Sequence, residues 1–219
     1  MSPRRIVKEA VRKGIELIAI ADHNTASMVD AVAEAAAEVD LGFLYGMELQ
    51  TREEVHLLVY FDEPGSCHDL AAVVYEHLPD RRNEPEYFGD QVIVDIDETI
   101  LGVEAKLLVN SLDLGFDEAV ALARRHGGLP VPAHVDRDAF GLIGQLGLVP
   151  EGLEFDLVET IAGELPDGFG DASAICSSDA HDLIQIGQRS TLFTIQRVSL
   201  TEICRAAAGE GGRSVLCKR

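Results

Sequence analysis

Four stretches of the chain place acids and imidazoles directly after apolar residues, and such side chains bind transition metals. In the first, the apolar residues 17–21 lead into Asp22 and His23. A buried parallel strand has this form when it delivers polar groups at its carboxyl end, where barrels and open α/β sheets bind their ligands. The three later stretches end in Glu48, in His134, and in Asp179 with His181.

A β-hairpin is predicted to present Glu48 beside His56. The strands over 43–50 and 55–61 are separated by too few residues for a helical crossover. If Arg52 lies at the centre of a three-residue turn, Glu48 faces His56 directly, with the two Cβ atoms ~5 Å apart. This pair suits one divalent cation, although a surface Glu–His pair on a half-exposed hairpin explains the same residues.

The other candidate ligands also have ordinary explanations. Asp179 and His181 share a face if their segment is extended, and a charge at the end of a buried strand is costly unless it is paired. Asp179 could instead cap a helix. His134 and His23 could each be hydrogen-bonded structural residues. Because all these residues fall at the same end of successive strands, we predict that they meet around metal, and the mixed ligands suit Mn, Fe or Zn.

Helical and strand patterns alternate along the chain, which predicts an α/β fold with a mostly parallel sheet. Helices are predicted over residues 3–13, 25–39, 67–77, 101–110, 116–126, 139–146 and 200–208. Strands are predicted over residues 16–21, 43–50, 55–61, 91–97, 129–134, 155–159, 174–178, 192–195 and 215–217.

The composition restricts the partners of the protein. A formal net charge of -20 repels the phosphate backbone, so extended nucleic-acid binding is not expected. The sequence contains no apolar run of the ~20 residues that cross a bilayer, so no membrane association is expected either. Four widely spaced cysteines fit reduced thiols in a cytoplasmic protein.

Together the four stretches resemble motifs of the PHP family (polymerase and histidinol phosphatase). The matches are the Asp-His pair at 22–23, Glu48 followed by His56, Ala133-His134, and the segment 178–181, in the order of the family. The resemblance implies a distorted (β/α)7 barrel with up to three metals. It also implies one PHP domain over residues 1–219, with a helical and loop insertion at 62–128.

Carried over position by position, the resemblance implies that Glu48, His56 and His134 hold one metal. The ligands of the other two metals are Glu48 with Asp179, and His23 with His181. Asp22 would not bind metal itself but would orient the ring of His23. All of these ligand assignments rest on the resemblance to the family.

One departure from the family is large. PHP proteins begin with a strand carrying His-x-His, and this sequence starts at Met1 without that motif. We therefore expect an incomplete barrel that lacks its first strand and three ligands and holds fewer than three metals. Sheet edges left unpaired could promote self-association. The sequence is either a shortened version of a longer protein, which we favour, or a naturally reduced form with altered metal content.

The resemblance implies a metal-dependent hydrolase of phosphoesters, with small nucleotide or oligonucleotide phosphates as substrates. Bound Mn, Zn or Fe ions would lower the pKa of a water and hold phosphate oxygens. Arg137 is the candidate to bind phosphate through bidentate hydrogen bonds. A salt bridge with Asp136 or Asp138 is an equal alternative. Two rival functions are a non-catalytic PHP binding module with a residual metal site and an amidohydrolase-like C–N hydrolase.

Overall fold

The computed structural model describes residues 1–218, which form seven α-helices, one 3-10 helix at Glu210–Gly212 and eleven strands. The helices are α1 Pro3–Arg12, α2 Val29–Ala37, α3 Pro64–His77, α4 Pro85–Phe88, α5 Phe116–Arg125, α6 Leu142–Leu146 and α7 Leu200–Ala207. The strands are β1 Leu17–Ala19, β2 Asp22–His23, β3 Gly42–Gln50, β4 His56–Phe61, β5 Val92–Val94, β6 Ile100–Val103, β7 Leu129–Pro132, β8 Leu157–Glu159, β9 Ser173–Ile175, β10 Ser190–Thr194 and β11 Ser214–Lys218.

The largest sheet has the strand order β1-β3-β4-β7, and β2 continues the line of β1 by also pairing with β3. Three two-stranded sheets complete the β structure: β8 with β9, β10 with β11, and β5 with β6. The fold is therefore mixed α/β as predicted. Residues 1–218 form no closed barrel, so the (β/α)7 barrel is not confirmed.

The sheet is mixed, and the expectation of a mostly parallel sheet was wrong. β1 and β2 run parallel to β3, but β4 is antiparallel to both of its neighbours, β3 and β7. The reason is the predicted hairpin itself, because a short connection reverses the chain within the sheet.

The register of this hairpin differs by two residues from the predicted one. Gln50, and not Glu48, lies opposite His56, because the connection is a five-residue loop closed by hydrogen bonds from Thr51 N to Val55 O at 2.9 Å and from Glu54 N to Thr51 O at 2.9 Å. A shift of two residues keeps every side chain on its face. Glu48 and His56 are therefore diagonal neighbours on the same face of the sheet.

The helix predicted over 101–110 was wrong: its start belongs to β6, which forms a hairpin with β5, and residues 104–110 form no helix. The side chain of Asp95 sets the turn, because its carboxylate accepts the N–H groups of Asp97 at 2.9 Å and Thr99 at 2.8 Å. The residues that follow include Ile100 and Val103, which favour strands because branching at Cβ stiffens them. The apolar residues whose spacing suggested a helix are exposed to solvent, and Leu101 is 68% exposed.

One face of the main sheet packs on the hydrophobic core. This packing determines which side chains lie on the other, polar face. Met47 and Leu49 alternate with Glu48 along β3, and both are fully buried in a cluster with side chains from α3 and α5. Period-two alternation then forces Glu48 and Gln50 to the other side of the sheet. Among the described residues no helix combines the length and hydrophobicity needed to cross a lipid bilayer.

Candidate metal centre

Four strands of the main sheet, β2, β3, β4 and β7, bring four predicted ligands together at one end of the sheet. His23 on β2 pairs in register with Glu48 on β3, so the two side chains point to the same face. β4 begins at His56, and its carbonyl oxygen accepts the N–H of Ala133 at 3.1 Å. This bond continues the pairing of β4 with β7 and places His134 beside His56.

The three ligands that were assigned to one metal form a small triangle of donor atoms. His56 Nδ1 lies 3.1 Å from Glu48 Oε1 and 3.1 Å from His134 Nε2, and His134 Nε2 lies 3.5 Å from Glu48 Oε1. Two ligands held about 2.1 Å from one tetrahedral ion are themselves roughly 3.4 Å apart. The triangle therefore has the dimensions of one face of a tetrahedral coordination shell.

The second oxygen of Glu48 faces the fourth ligand. Glu48 Oε2 lies 3.3 Å from His23 Nδ1, and the His23 and His56 rings meet edge to face with centroids 5.0 Å apart. His23 Nδ1 is buried and has no hydrogen-bond partner in the described structure. Ligand atoms from His23, Glu48 and His56 lie within 4.8 Å of one another, so the donor set and its spacing fit a divalent cation.

The two buried acids near these ligands, Glu48 and Glu159, have pKa values that are shifted in opposite directions. Burial alone would raise the pKa of Glu48, but the His134 and His56 imidazoles outweigh it and hold that pKa well below its usual range. Burial also lowers the pKa of His23, although Glu48 opposes this shift. In contrast, burial raises the pKa of Glu159, and the nearby Glu48 charge adds to the rise. Glu48 is thus the carboxylate kept in the charged, metal-binding form.

Asp179 and His181 lie on the loop after β9 and are more exposed. The His181 side chain is 69% exposed, and its Nδ1 turns back to the carbonyl oxygen of Asp179 at 3.0 Å. Within residues 1–218, no hydrogen bond or ion pair joins either residue to Glu48. Both residues nevertheless lie close enough to His23 to act on its charge, since Asp179 raises the pKa of His23 and His181 lowers it.

Arg137 pairs with Asp179, and the alternative of a salt bridge to Asp136 or Asp138 was wrong. Arg137 Nη1 lies 3.0 Å from Asp179 Oδ2. The Asp136 carboxylate is used elsewhere, since it accepts the N–H groups of Ile161 at 2.8 Å and Ala162 at 2.7 Å. Arg137 thus sits beside the predicted metal ligands with its fork facing a carboxylate.

The loop that carries Arg137 is tightly folded. A Cβ atom on Gly141 would lie 2.3 Å from the carbonyl oxygen of Arg137 and 2.8 Å from that of His134, which leaves room only for glycine. Phe140 in the same loop stacks on the His56 ring at 4.6 Å, and its carbonyl oxygen accepts the N–H of His56 at 2.9 Å. The loop is therefore held against His56 by a ring contact and a backbone hydrogen bond.

Asp22 does not orient His23. It pairs with Met47 on β3, and neighbouring residues of a strand point to opposite faces, so its carboxylate is directed away from the His23 ring. No hydrogen bond joins Asp22 to His23 in the described structure. Burial raises the pKa of Asp22.

Two supporting residues were not predicted from the sequence. Gln50 Oε1 lies 3.1 Å from His56 Nε2, and Glu159 accepts the backbone N–H of His134 at 3.0 Å and the hydroxyl of Ser177. Gln50 could have been found because it is two residues from Glu48 on a strand, and Glu159 because it is an acid at the end of an apolar run.

Comparisons with protein-family models and with curated proteins give no match. Solved structures do match. The lesion-specific endonuclease PfuEndoQ from Pyrococcus furiosus matches over 98% of this chain and 53% of its own, with a TM-score of 0.71 and 17% identity. A complex of Endonuclease Q with a 27-mer duplex substrate that carries an abasic lesion covers the same shares, with a TM-score of 0.69 and 18% identity.

A third structure is a protein assigned as a metal-dependent phosphoesterase from Bifidobacterium adolescentis. It matches over 83% of this chain and 82% of its own, with a TM-score of 0.51 and 18% identity. These likenesses show that the chain shares the fold of Endonuclease Q and of this phosphoesterase, and they show the fold alone. The chain spans about half the length of the Endonuclease Q chains.

Proposed function

We propose that this chain is a metal-dependent hydrolase of phosphoesters. The triangle of Glu48 Oε1, His56 Nδ1 and His134 Nε2, with edges of 3.1 to 3.5 Å, is the observation that carries this proposal. A buried carboxylate between imidazoles, on a rigid sheet, is a donor set suited to Mn, Zn or Fe. The hydrolytic neighbours of the same fold give additional support.

The residues have distinct roles in this proposal. Glu48, His56 and His134 would hold one divalent ion, and Glu48 Oε2 with His23 Nδ1 would offer two ligands to a second. Such ions, when bound, act as Lewis acids toward phosphate oxygens and lower the pKa of a bound water. The assignment of Asp179 and His181 as further ligands stays a prediction.

Arg137 is the group proposed to bind the substrate phosphate. Its guanidinium already faces the Asp179 carboxylate at 3.0 Å, which is the geometry it would use toward a phosphate oxygen. Phosphate binding would require Arg137 to exchange one anion for another.

The substrate class is proposed to be a small phosphoester such as a nucleotide. A net charge of -20 disfavours a long polyanion. The Endonuclease Q structure, however, holds a DNA duplex. An abasic-site duplex therefore belongs in the substrate panel beside nucleotides and a model phosphate ester.

The experiment combines metal content with turnover. Elemental analysis of the purified chain should give at least one divalent ion per chain, and Mn²⁺ or Zn²⁺ should support phosphate release from one member of the panel. His134→Ala should abolish both. His68→Ala is the matched control, because His68 pairs with Asp30 at 2.9 Å on another surface. If His134→Ala keeps full metal content and turnover, the proposal is wrong.

One observation favours the second candidate, a non-catalytic module that keeps a single metal. Asp179 is paired with Arg137 and the His181 side chain is 69% exposed, so the predicted ligands in direct contact with Glu48 are His23, His56 and His134. One bound ion per chain without turnover of any ester would support this module. Release of ammonia from an amide or amidine substrate would instead support the C–N hydrolase.

A further inference from the structure

We infer that Gln50 is a positioning residue that keeps the proton of His56 on Nε2, and thereby presents the Nδ1 lone pair to a divalent cation. This inference rests on the proposed function, because it names what orients one of the proposed metal ligands. Gln50 lies directly opposite His56 in the β3–β4 pair and is 7% exposed.

The contacts of Gln50 show how its side-chain amide is oriented. Gln50 Oε1 lies 3.1 Å from His56 Nε2, and Gln50 Nε2 lies 3.0 Å from Ser111 Oγ. With the NH2 group donating to the Ser111 hydroxyl, the carbonyl oxygen faces His56 and can only accept. The proton in that contact therefore belongs to His56 Nε2.

The chemistry of imidazole makes this contact decisive for metal binding. A neutral imidazole carries one proton, so the nitrogen that binds a cation is free only if the other nitrogen is protonated. A buried N–H without an acceptor is unfavourable, because it has lost its hydrogen bond to water and gained none in return. Gln50 removes this penalty at His56 Nε2, while Nδ1 points to Glu48 and His134.

The other histidine of the triangle has no such support, which provides an internal contrast. His134 Nδ1 is buried and has no hydrogen-bond partner in the described structure. The His56 ring is also held from its face, where Phe140 stacks with an angle of 15° between the planes. His56 is therefore the ligand that is fixed both in its plane and in its protonation.

Two substitutions of Gln50 separate positioning from packing. Gln50→Met removes the acceptor at similar size, and the Zn²⁺ affinity of the full chain in a competition titration should fall about 10–100-fold, as for other residues that orient metal ligands. Gln50→Glu keeps an acceptor toward His56 Nε2, so its Zn²⁺ affinity should equal or exceed that of the wild type. Gln145→Met, the same change at an exposed position of α6, is the control and should bind Zn²⁺ normally.

A spectroscopic measurement checks the protonation directly. In the Zn²⁺-loaded wild type, ¹H–¹⁵N NMR should show a slowly exchanging proton on His56 Nε2, and Gln50→Met should lose that protection. The inference is overturned if Gln50→Met binds Zn²⁺ like the wild type, or if Gln50→Glu loses as much affinity as Gln50→Met. If wild type and His134→Ala bind Zn²⁺ equally, the proposed function fails together with this inference.

Discussion

The two halves of the candidate centre differ in how they are held. In the buried half, the side chains of Glu48, His56 and His134 are 8%, 7% and 3% exposed. In the open half, the side chains of Asp179 and His181 are 29% and 69% exposed. The first half is fixed by neighbouring strands of one sheet, and the second is carried by the loop that follows β9.

Backbone pairing explains this difference. β3, β4 and β7 form a continuous hydrogen-bonded ladder, so their side chains keep fixed separations. Among the residues that the structure describes, β9 pairs only with the three-residue strand β8, and no ladder forms after it until β10. Distances between ligands are therefore set by backbone pairing in the buried half, whereas in the open half they depend on hydrogen bonds of the loop such as that from Gly187 N to Ser178 Oγ at 2.8 Å. We expect tight metal binding in the first half and weak binding in the second.

The largest effect should come from Glu48, because this carboxylate touches His56, His134 and His23. Glu48→Gln removes the only negative charge from the triangle of donor atoms. Metal affinity should fall by more than about 100-fold, since even residues that only orient a metal ligand contribute about 10–100-fold. Isothermal titration with Zn²⁺ measures this loss. Unchanged affinity would show that the buried half is not the tight site.

Arg137→Ala should have the next largest effect and should act on substrate binding. A hydrogen bond to a charged group contributes about 1.5–3 kcal/mol, so KM for a phosphoester should rise about tenfold or more while kcat changes less. Steady-state kinetics at saturating Mn²⁺ test this. Arg137→Lys keeps the charge without the fork and should give an intermediate KM. A normal KM in both variants would leave Arg137 with only its ion pair to Asp179.

His181→Ala should have a small effect, which tests the open half directly. Exposed charged groups contribute about 0.2–1 kcal/mol, so Zn²⁺ affinity and kcat/KM should fall by no more than about fivefold. A loss as large as that of Glu48→Gln would contradict the comparison. It would mean that the loop after β9 closes onto the buried half when metal binds.

Glu159→Gln should change stability and not metal affinity. Because burial raises the folded-state pKa of Glu159 above its ordinary value of 4.5, its favourable contribution is complete below that value and is lost as the pH rises. The neutral amide avoids this loss, so metal-free Glu159→Gln should unfold at higher denaturant than the wild type at pH 7, with no gain at pH 4. Glu151→Gln, at an exposed position, is the control and should show no difference between the two pH values. A lower midpoint than the wild type at pH 7 would contradict this prediction.

The sequence predicted most elements of the fold because their patterns are local. Helix α5 was predicted within one residue at its end, and strands β3 and β4 were placed from their apolar alternation and short connection. The segment 101–110 was predicted wrongly because its apolar spacing fits a helix as well as a hairpin. The Asp95 turn decided between them through hydrogen bonds that a periodicity argument does not contain.

The candidate site was partly predictable for the same reason. The positions of Glu48, His56 and His134 at strand ends follow from side-chain alternation, which survives even a two-residue error in register. The partner of Arg137 was not predictable, because Asp179 is 42 residues away in the chain. The direction of Asp22 was also missed, although alternation along β2 would have given it.

By itself the sequence determined which residue types end the strands and which face of each strand is polar, because both depend on neighbours in the chain. Only the tertiary structure decided which donor atoms meet. Strand order and loop packing bring Glu48 within 3.5 Å of His134 and leave His181 turned to solvent. The physical reason is that long-range contacts depend on the packing of the whole core, which no local pattern encodes.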